Sequence, residues 1–209
     1  MQIWMKEVLG LKEVHELEVA KDELAHYSKR TIDFEYEFPF GKKELYGLAY
    51  RTDFDLKNHY KDGAPYKEEG GEAFYPHVIE PTFGVDRSVL AVLCDSYQEE
   101  AERVVLKLKP QLAPYKVAVF PLLKNKPELV AKAREIYDDL KKDMMVAWDD
   151  RGNIGKRYFS QDEIGTPYCV TVDFDTLEKD DSVTVRDRDT MKQERIKIKD
   201  LIQFLKDHV

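Results

Sequence analysis

Residues 31–38 constrain the fold most. They run Thr31-Ile32-Asp33-Phe34-Glu35-Tyr36-Glu37-Phe38, apolar and acidic side chains alternating strictly. A strand sends successive side chains to opposite faces, so this run predicts a sheet with one buried and one charged face. Pro39-Phe40-Gly41 closes it as a turn, and residues 44–51 read as a second strand antiparallel to the first. Upstream, Trp4, Val8, Leu9 and Leu11 and then residues 14–28 read as helix or loop. Residues 57–71 are rich in glycine and charge and read as an exposed loop. His77-Val78-Ile79-Glu80-Pro81 reads as a short buried strand, and from Asp86 the pattern turns helical, with Val89, Leu90, Leu93 and Tyr97 on one face.

Two prolines within residues 107–114 change the rhythm, which predicts two domains, 1–110 and 111–209. Beyond that boundary, residues 116–120, 144–148 and 168–174 read as strands and residues 182–186 with 194–198 as a hairpin. Helices follow Pro127, cover residues 157–164, and close the chain through Leu201, Ile202 and Leu205. Strands separated by helices point to an α/β class, here an antiparallel sheet with helices followed by a mixed-sheet α/β domain.

The net charge of −8 is uneven, −7 on residues 1–110 and −1 on residues 111–209, so neither half is a general nucleic-acid clamp. No apolar run spans a bilayer and the N-terminus lacks a signal-peptide pattern, so the expected location is the cytoplasm, with no membrane partner. Two cysteines, Cys94 and Cys169, make neither a disulfide framework nor a zinc motif. Cys94 shares helical spacing with Leu90 and Leu93 and is expected in the core.

The densest cluster of chemistry is Glu80-Pro81-Thr82-Phe83-Gly84-Val85-Asp86-Arg87, between a strand and a helix. Glycine permits close backbone approach to a ligand, and the helix dipole disfavours a cation in its first turn, so Arg87 asks for an anionic partner. The plain alternative is an ordinary strand-to-helix turn with a surface arginine. Glu44 and Arg51 share a strand, and Asp53 and Asp55, two apart, would face one side of an extended segment and suit Mg²⁺ or an ammonium. A solvated strand edge is the alternative there. Arg186, Arg188, Lys192, Arg195, Lys197 and Lys199 lie on or near the last hairpin, where they could contact phosphates or form a solvated face.

Several strings carry a resemblance. Ala25-His26-Tyr27-Ser28, Pro39-Phe40-Gly41, Glu44-Leu45-Tyr46-Gly47, Arg51-Thr52-Asp53-Phe54-Asp55-Leu56 and the run from Glu80 to Arg87 occur in order. Together they resemble the C-terminal part of the catalytic domain of the dimeric-type glycyl-tRNA synthetases, the last string resembling motif 3 of the class II synthetases. Leu112-Ala113-Pro114, Asp162-Glu163-Ile164-Gly165-Thr166-Pro167, Val172-Asp173-Phe174-Asp175 and Val185-Arg186-Asp187-Arg188-Asp189-Thr190 resemble that family's anticodon-binding domain.

The resemblance implies a glycine–tRNA ligase activity that uses ATP with Mg²⁺ and transfers glycine to tRNA(Gly). It implies ATP contacts from Glu44, Leu45, Gly84, Val85, Asp86 and Arg87, with Glu44 an indirect metal contact and Arg87 on phosphate and adenine. It implies a glycine pocket lined by Pro76, His77, Val78, Ile79, Glu80 and Thr82 and supported by Arg51, with Glu80 holding the ammonium. Arg87 and Glu80 are thus the expected catalytic pair, and Arg186, Arg188 and Asp189 the expected anticodon contacts. Motifs 1 and 2 have no counterpart in this sequence. The expectation is therefore a partial enzyme, completed by an N-terminal section or a second chain and homodimeric when complete; the alternative is a non-catalytic tRNA-binding module.

Overall fold

The computed structural model describes residues 1–209, the side chain of Asp180 excepted. The chain divides into two compact units, Met1–Asp95 and Ser96–Val209.

The first unit is built on a four-stranded sheet of order β1-β2-β3-β6: β1 (Val14–Glu18), β2 (Arg30–Phe38), β3 (Gly41–Thr52) and β6 (Val78–Phe83). All its pairings are antiparallel. The alternating run is β2, with Phe34, Tyr36 and Phe38 buried. Residues 14–18, expected as helix or loop, form β1, because Val14 through Glu18 complete the ladder beside β2. Between β3 and β6 lie α1 (Phe54–His59) and a small hairpin of β4 (Tyr66–Lys67) and β5 (Ala73–Phe74), where an unstructured loop was expected. Thr52 turns the chain from β3 into α1 with a φ of +54°.

Three further expectations for the first unit are corrected. The strand at β6 is exposed rather than buried, with Ile79 at 65% and Phe83 at 44%, and it is an edge strand, paired only to β3. The helix α2 (Val85–Ser96) turns its apolar face outward: Val89, Leu90 and Leu93 are exposed, while Ala91 is buried. Hydrogen bonds hold its inner face, Ser88 to the Tyr46 hydroxyl at 2.5 Å and Asp95 accepting from the Tyr36 hydroxyl at 3.3 Å. Cys94 is half-buried rather than part of the core.

The second unit starts with the hairpin β7 (Tyr97–Glu99) and β8 (Val104–Leu106), so the division falls earlier than the expected boundary after residue 110. Residues 107–114 are held within this unit: the Lys116 ammonium donates to the carbonyls of Pro110, Gln111 and Ala113 at 2.8, 2.9 and 3.1 Å. A five-stranded sheet follows, of order β10-β9-β11-β12-β13. Its members are β9 (Val117–Pro121), β10 (Val146–Trp148), β11 (Tyr168–Val172), β12 (Ser182–Asp187) and β13 (Gln193–Lys197). The pairs β10–β9 and β11–β9 are parallel and the two pairs made by β12 are antiparallel, which is the mixed sheet expected.

The helices α3 (Pro127–Leu140), α4 (Ile154–Ile164) and α5 (Ile198–His208) supply the crossovers and the close. Val117, Val119, Leu129, Ile136, Val170, Leu201 and Leu205 form its main core. Each such aliphatic side chain contributes roughly 1.5–3 kcal/mol on burial. A second cluster packs Ala118, Phe120, Tyr158 and Cys169, where burial pushes the Cys169 thiol far above its ordinary pKa. No helix among the described residues is long and apolar enough to cross a membrane.

Candidate active site

Three strands of the first unit set side chains over one cleft of about 300 Å³, lined among others by Tyr27, Asp33, Glu44, Gly47, Glu80 and Thr82. Cross-strand register puts Asp33 of β2 opposite Gly47 of β3, and Gly47 opposite Thr82 of β6; Ala49 stands opposite Glu80. These residues share a face by period-2 alternation. Glu44 is three residues from Gly47 and in a regular strand would point the other way. The register shift between Phe34 and Glu35 inserts an extra residue of β3, Leu45, and brings Glu44 round to the cleft. A side-chain carbon placed at Gly47 would sit 3.7 Å from Asp33 Oδ1 and 3.9 Å from Glu44 Oε1, so the missing side chain opens the cleft floor to both carboxylates. Burial, then the nearby charges of Glu44 and Glu35, raise the Asp33 pKa.

At one end of the cleft Arg51 joins three partners. Its Nε and Nη2 donate to the two Asp55 oxygens at 2.7 and 2.8 Å, and its Nη1 donates to Glu80 Oε2 at 2.5 Å. Its guanidinium carbon lies 3.9 Å from the centre of the Tyr27 ring. The hydrogen bonds from Arg51 hold the Asp55 carboxyl below its ordinary value. Asp53 and Asp55 do not share an extended segment as expected. Asp53 precedes α1 and pairs with Lys57 at 2.6 Å, while Asp55 lies inside α1 and pairs with Arg51.

Arg87 is in the first turn of α2, and its Nη1 donates to the Glu44 carbonyl at 3.0 Å and lies 3.7 Å from Glu44 Oε1. The guanidinium is more than half exposed, so much of its donor capacity faces solvent. Gly84 precedes α2 and accepts from the Ser88 hydroxyl at 2.6 Å; Val85 and Asp86 are exposed. Leu45 is different. Its side chain is buried at 1% exposure, which leaves only its main chain to face a ligand.

The other expected pocket residues divide by strand geometry. Glu80 and Thr82 line the cleft, whereas Pro76, His77, Val78 and Ile79 do not. Ile79 neighbours Glu80 on β6 and points to the opposite face. The His77 ring instead makes a 2.5 Å hydrogen bond with the Tyr50 hydroxyl. Asp33 and Tyr27 are cleft residues that the sequence reading did not single out. The alternation of residues 31–38 already put Asp33 on the charged face; Tyr27 stood in the string Ala25-His26-Tyr27-Ser28 with no role attached to it.

The second unit corrects the expected anticodon contacts. Arg186 and Arg188 are 3% and 2% exposed. Arg186 makes a two-point ion pair with Asp162 at 2.8 and 2.9 Å, and Arg188 donates to the carbonyls of Gly165 and Leu108 at 2.7 Å each. Both guanidiniums are spent inside the unit, so they brace it and present no charge to a nucleic acid. Asp189 is exposed but accepts from Arg188 Nε at 2.8 Å. Arg195 pairs with Asp173 at 2.7 Å. Surface cations are found elsewhere, as at Arg151 and Lys156 along an open groove at the start of α4.

No group of three or more metal-ligating side chains occurs among the described residues. Asp33 and Glu44 supply hard oxygen donors, which are too few by themselves for a resident ion.

The chain is similar to known proteins along most of its length. Residues 116–208 match the anticodon binding domain family. The glycine–tRNA ligase of Clostridium kluyveri is 49% identical over 216 residues, covering 96% of this chain and 45% of that protein. That of Staphylococcus saprophyticus is 48% identical, covering 99% of this chain and 46% of the relative, and that of Malacoplasma penetrans 56% identical, covering 88% and 41%. The chain is a homologue of the glycine–tRNA ligases. It spans about 45% of the length of the first of these ligases, and its later part carries the family's anticodon binding domain.

Proposed function

We propose that the chain forms the glycine- and ATP-binding side of a cytoplasmic glycine–tRNA ligase together with its tRNA(Gly)-binding domain. The observation that carries this reading is Glu80, which lines an acidic cleft with one oxygen held by Arg51 and the other turned to no side chain of the cluster. Such a carboxylate is suited to the ammonium of glycine. Arg87 is suited to the phosphates of ATP, and the Glu44 main chain beside it to the adenine end. Glu44 and Asp33 would then meet the Mg²⁺ that accompanies ATP.

Activation joins the glycine carboxylate to the α-phosphorus of ATP and expels pyrophosphate; the 3′ hydroxyl of tRNA then takes the glycyl group. Neither step needs a protein nucleophile, because alignment and charge neutralisation carry the rate. The reading assigns the remaining phosphate contacts to a further section of the ligase or to a second chain, and homodimer formation to the completed enzyme. In the second unit, tRNA contact falls to exposed groups such as Lys156 and Asp189.

The test is glycine-dependent ATP–pyrophosphate exchange by the chain, alone and mixed with the rest of a homologous ligase. Loss of a charge-assisted contact costs about 1.5–3 kcal/mol, so Arg87→Ala should slow exchange roughly tenfold to a hundredfold. Unchanged exchange in that variant overturns the assignment. The match of residues 116–208 to the anticodon binding domain carries one second reading, a tRNA-binding module without catalysis. Tight tRNA(Gly) binding with no exchange in either mixture would select it.

A further inference from the structure

Arg51 is held more completely than a charge partner for Glu80 requires. Three of its N–H groups are committed to named carboxylate oxygens, two of them to Asp55 and one to Glu80. One face of its guanidinium is covered by the Tyr27 ring. Tyr27 is itself packed, 5.2 Å from the His26 ring and 6.5 Å from the Phe54 ring, and His26 lies 5.4 Å from Phe54. Phe54 and Asp55 are consecutive in α1, so one turn of helix both supports the ring and delivers the carboxylate.

This arrangement has a chemical consequence. A guanidinium and a carboxylate left to themselves favour a two-point fork, in which both carboxylate oxygens are consumed. Asp55 occupies the Nε and Nη2 edge of Arg51 and so fixes the orientation of the guanidinium. In that orientation Nη1 alone engages Glu80, at Oε2, and the other Glu80 oxygen stays available. Tyr27 fixes the plane in which this holds.

We propose that Asp55 and Tyr27 are positioning residues of the glycine site: they hold Arg51 so that it engages one oxygen of Glu80 and leaves the other for the substrate ammonium. The proposal rests on the reading of Glu80 as the ammonium partner. It predicts that losing either residue impairs glycine binding through Arg51, with the cleft otherwise intact.

The experiment is a titration of the full chain with glycine and, separately, with ATP, followed by NMR, with thermal unfolding recorded for every variant. Tyr27→Leu and Asp55→Ala should each weaken glycine binding roughly threefold to thirtyfold and leave ATP binding unchanged. Tyr27→Phe, which keeps the ring, should match the wild type. Should Asp55→Ala fail to fold, Asp55→Asn and the Tyr27 pair carry the test. Wild-type glycine affinity in Tyr27→Leu and the Asp55 variant, with affinity lost in Glu80→Gln, overturns the positioning role and spares the reading of Glu80. Equal loss of glycine and ATP binding in Tyr27→Leu marks a merely structural residue and also overturns it. Unchanged glycine binding in Glu80→Gln, or none by the wild-type chain, removes the reading and the proposal together.

Discussion

Asp162 and Arg186 form a two-point ion pair sealed from solvent, with side-chain exposures of 0% and 4% and N···O distances of 2.8 and 2.9 Å. Arg103 adds a third bond to the same carboxylate at 2.8 Å. Removing the carboxylate strands the buried Arg186 and leaves Arg103 with Glu100 and the Arg188 carbonyl. Asp162→Ala is expected to destabilise the second unit by about 3–5 kcal/mol in urea unfolding. A loss below about 1 kcal/mol, the scale of a surface pair, would contradict the burial described here.

Gly165 ends α4 with a φ of +86°, and a side-chain carbon there would meet Leu108 Cδ1 at 2.7 Å and the Leu106 carbonyl at 3.0 Å. The leucine side chain can shift; the carbonyl is main chain and cannot do so cheaply. Gly165→Ala combines left-handed strain with overpacking and should cost about 2–3 kcal/mol. Calorimetry would register this as a lower Tm, and an unchanged Tm would rule out the close approach.

Glu100 receives hydrogen bonds from Arg103 and Lys107, which lower its carboxyl from 4.5 to about 2. Because the folded value is depressed, its contribution is complete above pH 4.5 and is lost as pH falls towards 2. Acid unfolding followed in that window should be less steep in Glu100→Gln than in the wild type. Identical pH profiles would show that the two cations do not hold this carboxylate in solution.

The outward face of α2 yields an expectation opposite to the one its sequence suggests. Val89 is 54% exposed, so Val89→Ser should change stability by no more than about 0.5 kcal/mol. Denaturant unfolding that shows a loss of about 2 kcal/mol would place Val89 in a core after all.

The same helix shows how far periodicity reaches. Spacing identified α2 as amphipathic, but periodicity reports only that a helix has an apolar face, not that this chain supplies a cover for it. Here the inner face is held by Tyr36 and Tyr46 hydroxyls that no pattern announces. The second unit was more legible because its central strands β9 and β11 are buried on both sides and separated by helices, and a continuous apolar run such as Val117 to Phe120 has one stable destination.

In the candidate site, Glu80, Arg87, Glu44 and Arg51 were legible, since three local strings hold them. A string does not distinguish the faces of a strand, so nothing in it set Ile79 apart from Glu80. A run of cations looks the same whether it meets solvent or, as Arg186 does, a buried aspartate. Asp55 was grouped with Asp53 for want of any sign that Thr52 turns the backbone into a helix.

The two thiols divide the molecule for anyone wishing to watch it open. Cys94, half-buried in the first unit, meets a thiol reagent far more readily than Cys169, which lies 1% exposed in the core of the second. A labelling reagent would therefore tag Cys94 early and reach Cys169 only in those molecules whose second sheet has come apart. The chain thus carries a native clock for the unfolding of its second unit, legible by mass spectrometry with no residue introduced.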